Sequence, residues 1–117
     1  MSTIQQISKK MVKLLLDKNF VLAYQELFSI DAHSIDPLDS SPNCTMGLDN
    51  LIAKEEKFLD MTQIREIMIS EVLVFGSYFT FGLRMSYCIE NVENELNELC
   101  LYRVESGKII SQQFFIS

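Results

Sequence analysis

The segment from Phe79 to Ile89 constrains the fold more than any other part of this chain. Large apolar residues alternate strictly with small or polar ones, and the apolar set is Phe79, Phe81, Leu83, Met85, Tyr87 and Ile89. Alternation with period two predicts a β-strand with one buried face. Such a strand needs neighbouring strands and a layer that covers its apolar face.

Three further strands are predicted around this one. Ile67–Phe75 precedes it and is closed by Gly76-Ser77, while Glu95–Val104 and Lys108–Ile116 follow it. Asn91–Asn94 and Glu105-Ser106-Gly107 supply the turns between them. The second half of the chain is therefore predicted to form a four-stranded antiparallel meander.

The first half of the chain has helical rather than alternating periodicity. A capping box, Thr3 with Gln6, precedes a helix with apolar residues from Ile4 to Leu15. Asp17-Lys18-Asn19 separates it from a second helix, which has the apolar stripe Phe20, Ala23, Tyr24, Leu27 and Phe28. After this helix the sequence predicts a short strand, Asp31–Pro37, then a loop, Leu38–Met46, and then a third helix that begins after Gly47.

Helices followed by a meander predict a single α+β domain over residues 1–117, with helices on one face of an antiparallel sheet. The net charge is −6, which disfavours binding to nucleic acid. No run approaches the roughly 20 apolar residues that cross a membrane. Three cysteines without a Cys-x-x-Cys pair, and an amino terminus unlike a secretory signal, predict a cytoplasmic protein.

Two motifs resemble a known family. The first motif is Asp31-Ala32-His33-Ser34-Ile35-Asp36-Pro37, followed by Gly47 at the start of the next helix. It is similar to the corresponding stretch of ketosteroid isomerases and SnoaL-like proteins. Leu101–Ile109, running on to Gln113-Phe114-Phe115, resembles the closing hairpin of the SnoaL-like group. The chain thus resembles the SnoaL-like branch of the nuclear transport factor 2 superfamily along nearly its whole length. The resemblance implies a cone-shaped curved sheet of the cystatin-like type with the amino-terminal helices on its concave face, and a homodimer formed through the outer face of the sheet.

The resemblance also implies catalytic positions. It places Asp36 where ketosteroid isomerases hold the general base, although an Asp before Pro also caps turns. The partner acid falls on Glu98 or Leu99, according to the strand register. Val12 stands where the isomerases have a tyrosine, which argues against steroid isomerase activity, and Tyr24 is predicted to lie in the core.

The resemblance to SnoaL-type cyclases implies an acid/base residue on the last strand. Phe114 occupies that position and cannot transfer a proton. Gln112 shares its strand face and either hydrogen-bonds a ligand or is paired within the core. An apolar cavity is therefore predicted, with Gln112, Phe114, Phe58 and Met85 in its wall.

Other polar residues have weaker signals. His33 points away from Asp36 by strand alternation, and Glu55-Glu56 is interpreted as a solvated part of the third helix. Arg84 is predicted on the outer sheet face, with binding of an anionic ligand as the alternative. Neither a metal site nor a cofactor is predicted, because the sequence has one histidine, no cysteine pair and no glycine-rich phosphate loop.

Two functional hypotheses follow. The first is a pocket protein that binds a small apolar organic ligand, with proton-transfer chemistry of the isomerase or cyclase type at Asp36 and Glu98. The second is a non-catalytic homodimeric binding or scaffold module in which side chains fill the cone. Its interface is predicted to include Thr80, Arg84, Ser86 and the strand of Glu98.

Overall fold

The computed structural model describes residues 2–38 and 44–117. In these residues three helices and seven strands follow one another along the chain. They are α1 (Ile4–Leu16), α2 (Phe20–Leu27), β1 (Phe28–Ile35), β2 (Cys44–Met46), α3 (Leu48–Asp60), β3 (Gln63–Ile69), β4 (Leu73–Phe75), β5 (Tyr78–Ile89), β6 (Val92–Glu105) and β7 (Lys108–Ile116).

The strands form one curved, open sheet with the order β2-β1-β7-β6-β5-β3, and β4 pairs with β5. The meander β3-β5-β6-β7 is antiparallel throughout, as predicted. The helices pack on the concave face of the sheet, so the predicted α+β architecture is confirmed. No helix in the described ranges is long and apolar enough to span a membrane.

The helix boundaries follow local chemistry. Thr3 Oγ1 accepts a hydrogen bond from Gln6 N (3.2 Å), and Gln6 Oε1 accepts one from Thr3 N (2.9 Å), so the predicted capping box starts α1. Gly47 precedes α3 with φ of 89°, a conformation that other residues rarely adopt. Its N–H donates to Ala32 O (2.8 Å), which ties the start of α3 to β1.

β1 differs from the prediction in its start and its direction. It begins at Phe28, three residues before the predicted Asp31, because Phe28 is extended (φ −97°, ψ 147°) and ends α2. β1 runs parallel to β7, with Phe28 opposite Ile109 and Ser34 opposite Gln112. The sheet is therefore antiparallel except at this one junction in the described chain.

The predicted strand Ile67–Phe75 is two strands, β3 and β4. Ile69 on β3 pairs with Leu83 on β5, and Leu73 on β4 pairs with Thr80 on β5. Four residue steps from Ile69 to Leu73 therefore lie opposite three steps on β5. The extra residue forms a bulge, at which Ser70 N donates to Gly82 O (2.9 Å) and Ser70 Oγ accepts from Gly82 N (2.7 Å). A hydrophobic run alone does not reveal this interruption.

Two tight turns set the register of the long strands. Glu90 and Asn91 both have positive φ, and so do Ser106 and Gly107, as a two-residue hairpin turn requires. β6 therefore begins at Val92 rather than at the predicted Glu95. The loop predicted for Leu38–Met46 is also shorter, since Cys44–Met46 forms β2, and residues 39–43 lie outside the described part.

The core lies between the concave face and the helices. Phe79, Phe81 and Tyr102 are almost fully buried, and the ring centroids of Phe79 and Tyr102 are 4.8 Å apart. Leu83 and Met85 continue the buried face of β5, as its alternation predicts. The packing is dense at this end of β5, and it leaves a cavity farther along the concave face.

Candidate ligand-binding cavity

A cavity of about 320 Å³ lies between the concave face of the sheet and the helices. Its wall is mainly apolar, and its large apolar contributors include Leu51, Phe58, Leu83, Met85, Tyr87 and Phe114. The volume is at the lower end of the roughly 300–1,000 Å³ that small-molecule sites occupy.

All four residues predicted for the cavity wall line it. Phe58 reaches it from α3, Met85 from β5, and Gln112 and Phe114 from β7. Strand alternation accounts for the last two, because residues two positions apart share a sheet face. Their contact with a ligand stays a prediction.

Asp36 lines the cavity and also caps a turn. It follows β1 by one residue and shares a face with Ser34, which is 2% exposed. Its Oδ1 accepts a hydrogen bond from Leu38 N (2.9 Å), the turn-capping role considered from the Asp-Pro sequence. A carboxylate has a second oxygen with free lone pairs, so capping does not exclude a further role.

Glu98 lies on the cavity side of β6, where it faces the same space as Cys100 and Tyr102. In this register Glu98 is opposite Leu83 and Ile116, while Leu99 points outward and is 45% exposed. Burial, followed by the negative charge of Asp36, raises the pKa of Glu98 to about 7. Near neutral pH a large fraction of Glu98 is therefore an uncharged acid that can donate a hydrogen bond.

Glu55 also lines the cavity, and the interpretation of Glu55-Glu56 as solvated is wrong for this residue. Burial raises the pKa of Glu55 to about 7; Lys54 opposes the increase and Asp36 adds to it. The signal was present in the sequence, because Glu55 is four residues after Leu51 and three before Phe58 on one helix face. Glu56 is exposed, as predicted.

A buried network joins three elements at one wall of the cavity. Gln112 Nε2 donates to Tyr24 Oη (2.8 Å) on α2 and to Ser34 Oγ (3.0 Å) on β1. Gln112 is 3% exposed, so the paired-glutamine alternative is observed, although the side chain also lines the cavity. Tyr24 lines the cavity as well, and burial raises its pKa well above the usual value, which keeps the phenol protonated.

The remaining candidates lie away from the cavity or stay neutral within it. Val12 packs against the core beyond the cavity wall, so no tyrosine of α1 faces the carboxyls. Burial raises the pKa of the Cys100 thiol, which favours the uncharged form. His33 and Arg84 are not in the wall, and the Arg84 Nε donates to Asn97 Oδ1 (2.8 Å) on the outer face.

The site therefore combines an apolar wall with three carboxyl groups, Lys54 and further polar side chains that include the phenol of Tyr24. In addition to burial, the negative charge of Asp36 raises the pKa of Glu55, Glu98 and Tyr24, so these groups share one electrostatic environment. Within residues 2–38 and 44–117, no group of three or more His, Cys, Asp or Glu side chains is arranged to hold a metal ion. Such a site can exchange protons between carboxyl groups and a bound organic molecule.

A family model described as a SnoaL-like domain matches residues 1–116. A Mesorhizobium loti protein named as a SnoaL-like polyketide cyclase superposes with a TM-score of 0.90 at 20% identity, over 97% of this chain and 99% of that one. A cystatin-like protein of unknown function from Xanthomonas campestris has a TM-score of 0.81 at 18% identity, over 100% and 92%.

A third similar structure contains a ligand. A Catenulispora acidiphila protein with a ketosteroid isomerase-like fold, in complex with trimethylamine, has a TM-score of 0.78 at 16% identity, over 98% of this chain and 88% of that one. No curated protein matches the sequence. At these identities the structural similarities establish the fold.

Proposed function

Because the chain belongs to the SnoaL-like domain family, we propose that its cavity binds a small, largely apolar organic molecule and moves a proton within it. The observation that supports this proposal best is the placement of Asp36 and Glu98 around one apolar cavity, with the pKa of Glu98 raised to about 7. Acid–base catalysis near neutral pH requires a carboxyl group whose pKa lies close to the working pH, as that of Glu98 does.

The proposed chemistry is proton abstraction next to a carbonyl group. The Asp36 carboxylate takes the proton from carbon, and the carbonyl oxygen gains negative charge as the enolate forms. Protonated Glu98 donates a hydrogen bond to that oxygen and stabilises the charge. Return of the proton to the same or another carbon completes an exchange or an isomerisation without a metal or an organic cofactor.

The apolar wall supports this chemistry in two ways. Leu83, Met85, Phe58 and Phe114 exclude water, which strengthens the hydrogen bond to the oxygen. They also select ligands with an apolar body, because burial contributes about 25 cal/mol per Å² of apolar surface.

Deuterium exchange tests the proposal directly. A cyclic ketone such as 2-decalone is incubated with the protein in D₂O, and loss of the α-proton signals is followed by NMR. We expect Asp36→Asn to slow the protein-dependent exchange by about 100-fold or more, since a general base contributes roughly 10² to 10⁴. Asp31→Asn is the matched control, because Asp31 lies exposed on β1, the strand that Asp36 follows. An unchanged rate in Asp36→Asn would remove Asp36 from the role of base.

The second candidate function is a non-catalytic homodimeric module. Exposed apolar side chains on the outer sheet face favour pairing, and they include Met68, Leu73, Leu99 and Phe115. A cavity of about 320 Å³ counts against the version of this hypothesis in which side chains fill the cone. Pairing through the outer face is compatible with ligand binding on the concave face, so the two functions are separable by experiment.

A further inference from the structure

Gln112 uses its whole donor capacity on two hydroxyl groups. A primary amide nitrogen carries two hydrogens, and Gln112 Nε2 directs one to Tyr24 Oη (2.8 Å) and one to Ser34 Oγ (3.0 Å). Both hydroxyl oxygens therefore act as acceptors toward Gln112. Each hydroxyl keeps its own proton for a different partner.

The two hydroxyl groups border the cavity and are held in place. Tyr24, Ser34 and Gln112 all line it, and Ser34 and Gln112 are 2% and 3% exposed. The ring of Tyr24 packs on Phe28 with 4.7 Å between centroids, which restricts its rotation. Buried hydroxyl protons need an acceptor, since an unpaired buried donor is costly.

This pair of donors is separate from the carboxyl groups. Ser34 and Asp36 lie two positions apart on one face of the chain, which corresponds to about 7 Å. Gln112 is opposite Tyr102 on β6, and Glu98 is four residues farther along the same face. A molecule that reaches Asp36 and Glu98 with one end can therefore reach Tyr24 and Ser34 with the other.

We propose that the Tyr24 and Ser34 hydroxyl groups bind a second oxygen acceptor of the ligand, with Gln112 as a positioning residue. The ligand class is a small alicyclic or aromatic compound that carries oxygen functions at both ends. This inference rests on the proposed function, because it concerns another part of the same cavity.

The test uses two matched probes, decalin-2,6-dione with two carbonyls and 2-decalone with one. Dissociation constants are measured by titration calorimetry for the wild type, Tyr24→Phe, Ser34→Ala and Gln112→Met, each checked for cooperative thermal unfolding. We expect the wild type to bind the dione about 10-fold more tightly than the monoketone, the effect of one buried hydrogen bond. Tyr24→Phe and Ser34→Ala should each reduce this ratio.

Gln112→Met provides the test of positioning. It should reduce the dione-to-monoketone affinity ratio, whereas general damage to the cavity would weaken the binding of both probes by the same factor and leave the ratio unchanged. Equal affinity of the wild type for both probes would overturn the second subsite and leave the cavity function intact. A ratio that persists in the Tyr24→Phe/Ser34→Ala double variant would overturn it as well. Failure of both probes to bind at millimolar concentration would overturn the proposed function together with this inference.

Discussion

Glu98 is a residue at which burial and charge both oppose ionisation. Its side chain is partly buried, and the nearby acidic groups are Asp36, which follows β1, and Glu55 on α3. Cys100 and Tyr102 lie beside it on β6. Burial and the Asp36 charge raise its pKa from 4.5 to about 7, so the folded state holds its proton more tightly than the unfolded state. The free energy of unfolding should therefore fall as the pH rises from about 4.5 to about 7.

Glu98→Gln tests this coupling. Glutamine mimics the protonated acid at every pH, so the variant should match the wild type at pH 4.5 and exceed it at pH 8. By linkage the gain at pH 8 is about 1 to 3 kcal/mol. Urea unfolding at both pH values measures it. A variant no more stable than the wild type at pH 8 would show that Glu98 is well solvated.

The face of α3 that carries Glu55 belongs to the cavity rather than to solvent. Leu51 and Phe58, on the same face, line the cavity with it, whereas the next residue, Glu56, is exposed. Gly47 starts the helix and fixes its position on β1 through the bond to Ala32 O. The geometry of this helix therefore decides which of the two adjacent glutamates lines the cavity.

Glu55→Gln and Glu56→Gln form a matched pair for this element. Burial raises the pKa of Glu55 to about 7, so Glu55→Gln should raise the melting temperature at pH 8 by a few degrees, for a gain of about 1 kcal/mol, and leave it unchanged at pH 4.5. Glu56→Gln should have little effect at either pH. Thermal unfolding of both variants at pH 4.5 and pH 8 measures these changes. Equal changes in melting temperature for the two variants would contradict the assignment of Glu55 to the cavity face and Glu56 to the solvent face of α3.

Regular periodicity explains which elements were predictable from the sequence. The alternation from Phe79 to Ile89 predicts β5 closely, and the capping box predicts the start of α1. Local periodicity does not reveal pairing partners, so the parallel contact of β1 with β7 was not predicted. It also does not reveal the bulge at Ser70, since two polar residues, Ser70 and Glu71, within an apolar run are compatible with one continuous strand.

Local sequence patterns indicated some residues of the site and not others. Family resemblance predicted Asp36 at the cavity and left the partner acid open between Glu98 and Leu99, while strand alternation put Gln112 on the face of Phe114. Asp36, Glu98 and Gln112 all line the cavity. Glu55 was not predicted at the cavity because it lies in the charged run Lys54–Lys57, which is typical of a solvent-exposed helix face. The helical spacing of Glu55 from Leu51 and Phe58 was the better indicator of its position. The role of Tyr24 was missed because a tyrosine within an apolar stripe reads as core, and only the structure shows Gln112 beside it.

At the scale of the whole molecule, the outer sheet face predicts self-association. Leu99 and Phe115 are neighbours on β6 and β7, and both are 45% exposed. Light scattering after size exclusion at micromolar concentration should give about twice the chain mass of 13.5 kDa. Leu99→Arg should shift the protein toward monomer by placing charge at the contact.

Leu22→Arg is the control for this prediction, because Leu22 is 39% exposed and lies on α2, away from the outer sheet face. It should leave the mass unchanged. A wild-type protein that elutes as a clean monomer would contradict the homodimer.

The parallel junction of β1 with β7 has a further consequence. It joins two portions of the chain about eighty residues apart, one containing the helices and the other the meander, and Ser34 and Gln112 hydrogen-bond across it. A ligand bound in the cavity would contact both portions and so stabilise the junction between them. Ligand binding should therefore slow the local unfolding that separates β1 from β7, and amide protons along β1 should exchange more slowly when ligand is bound.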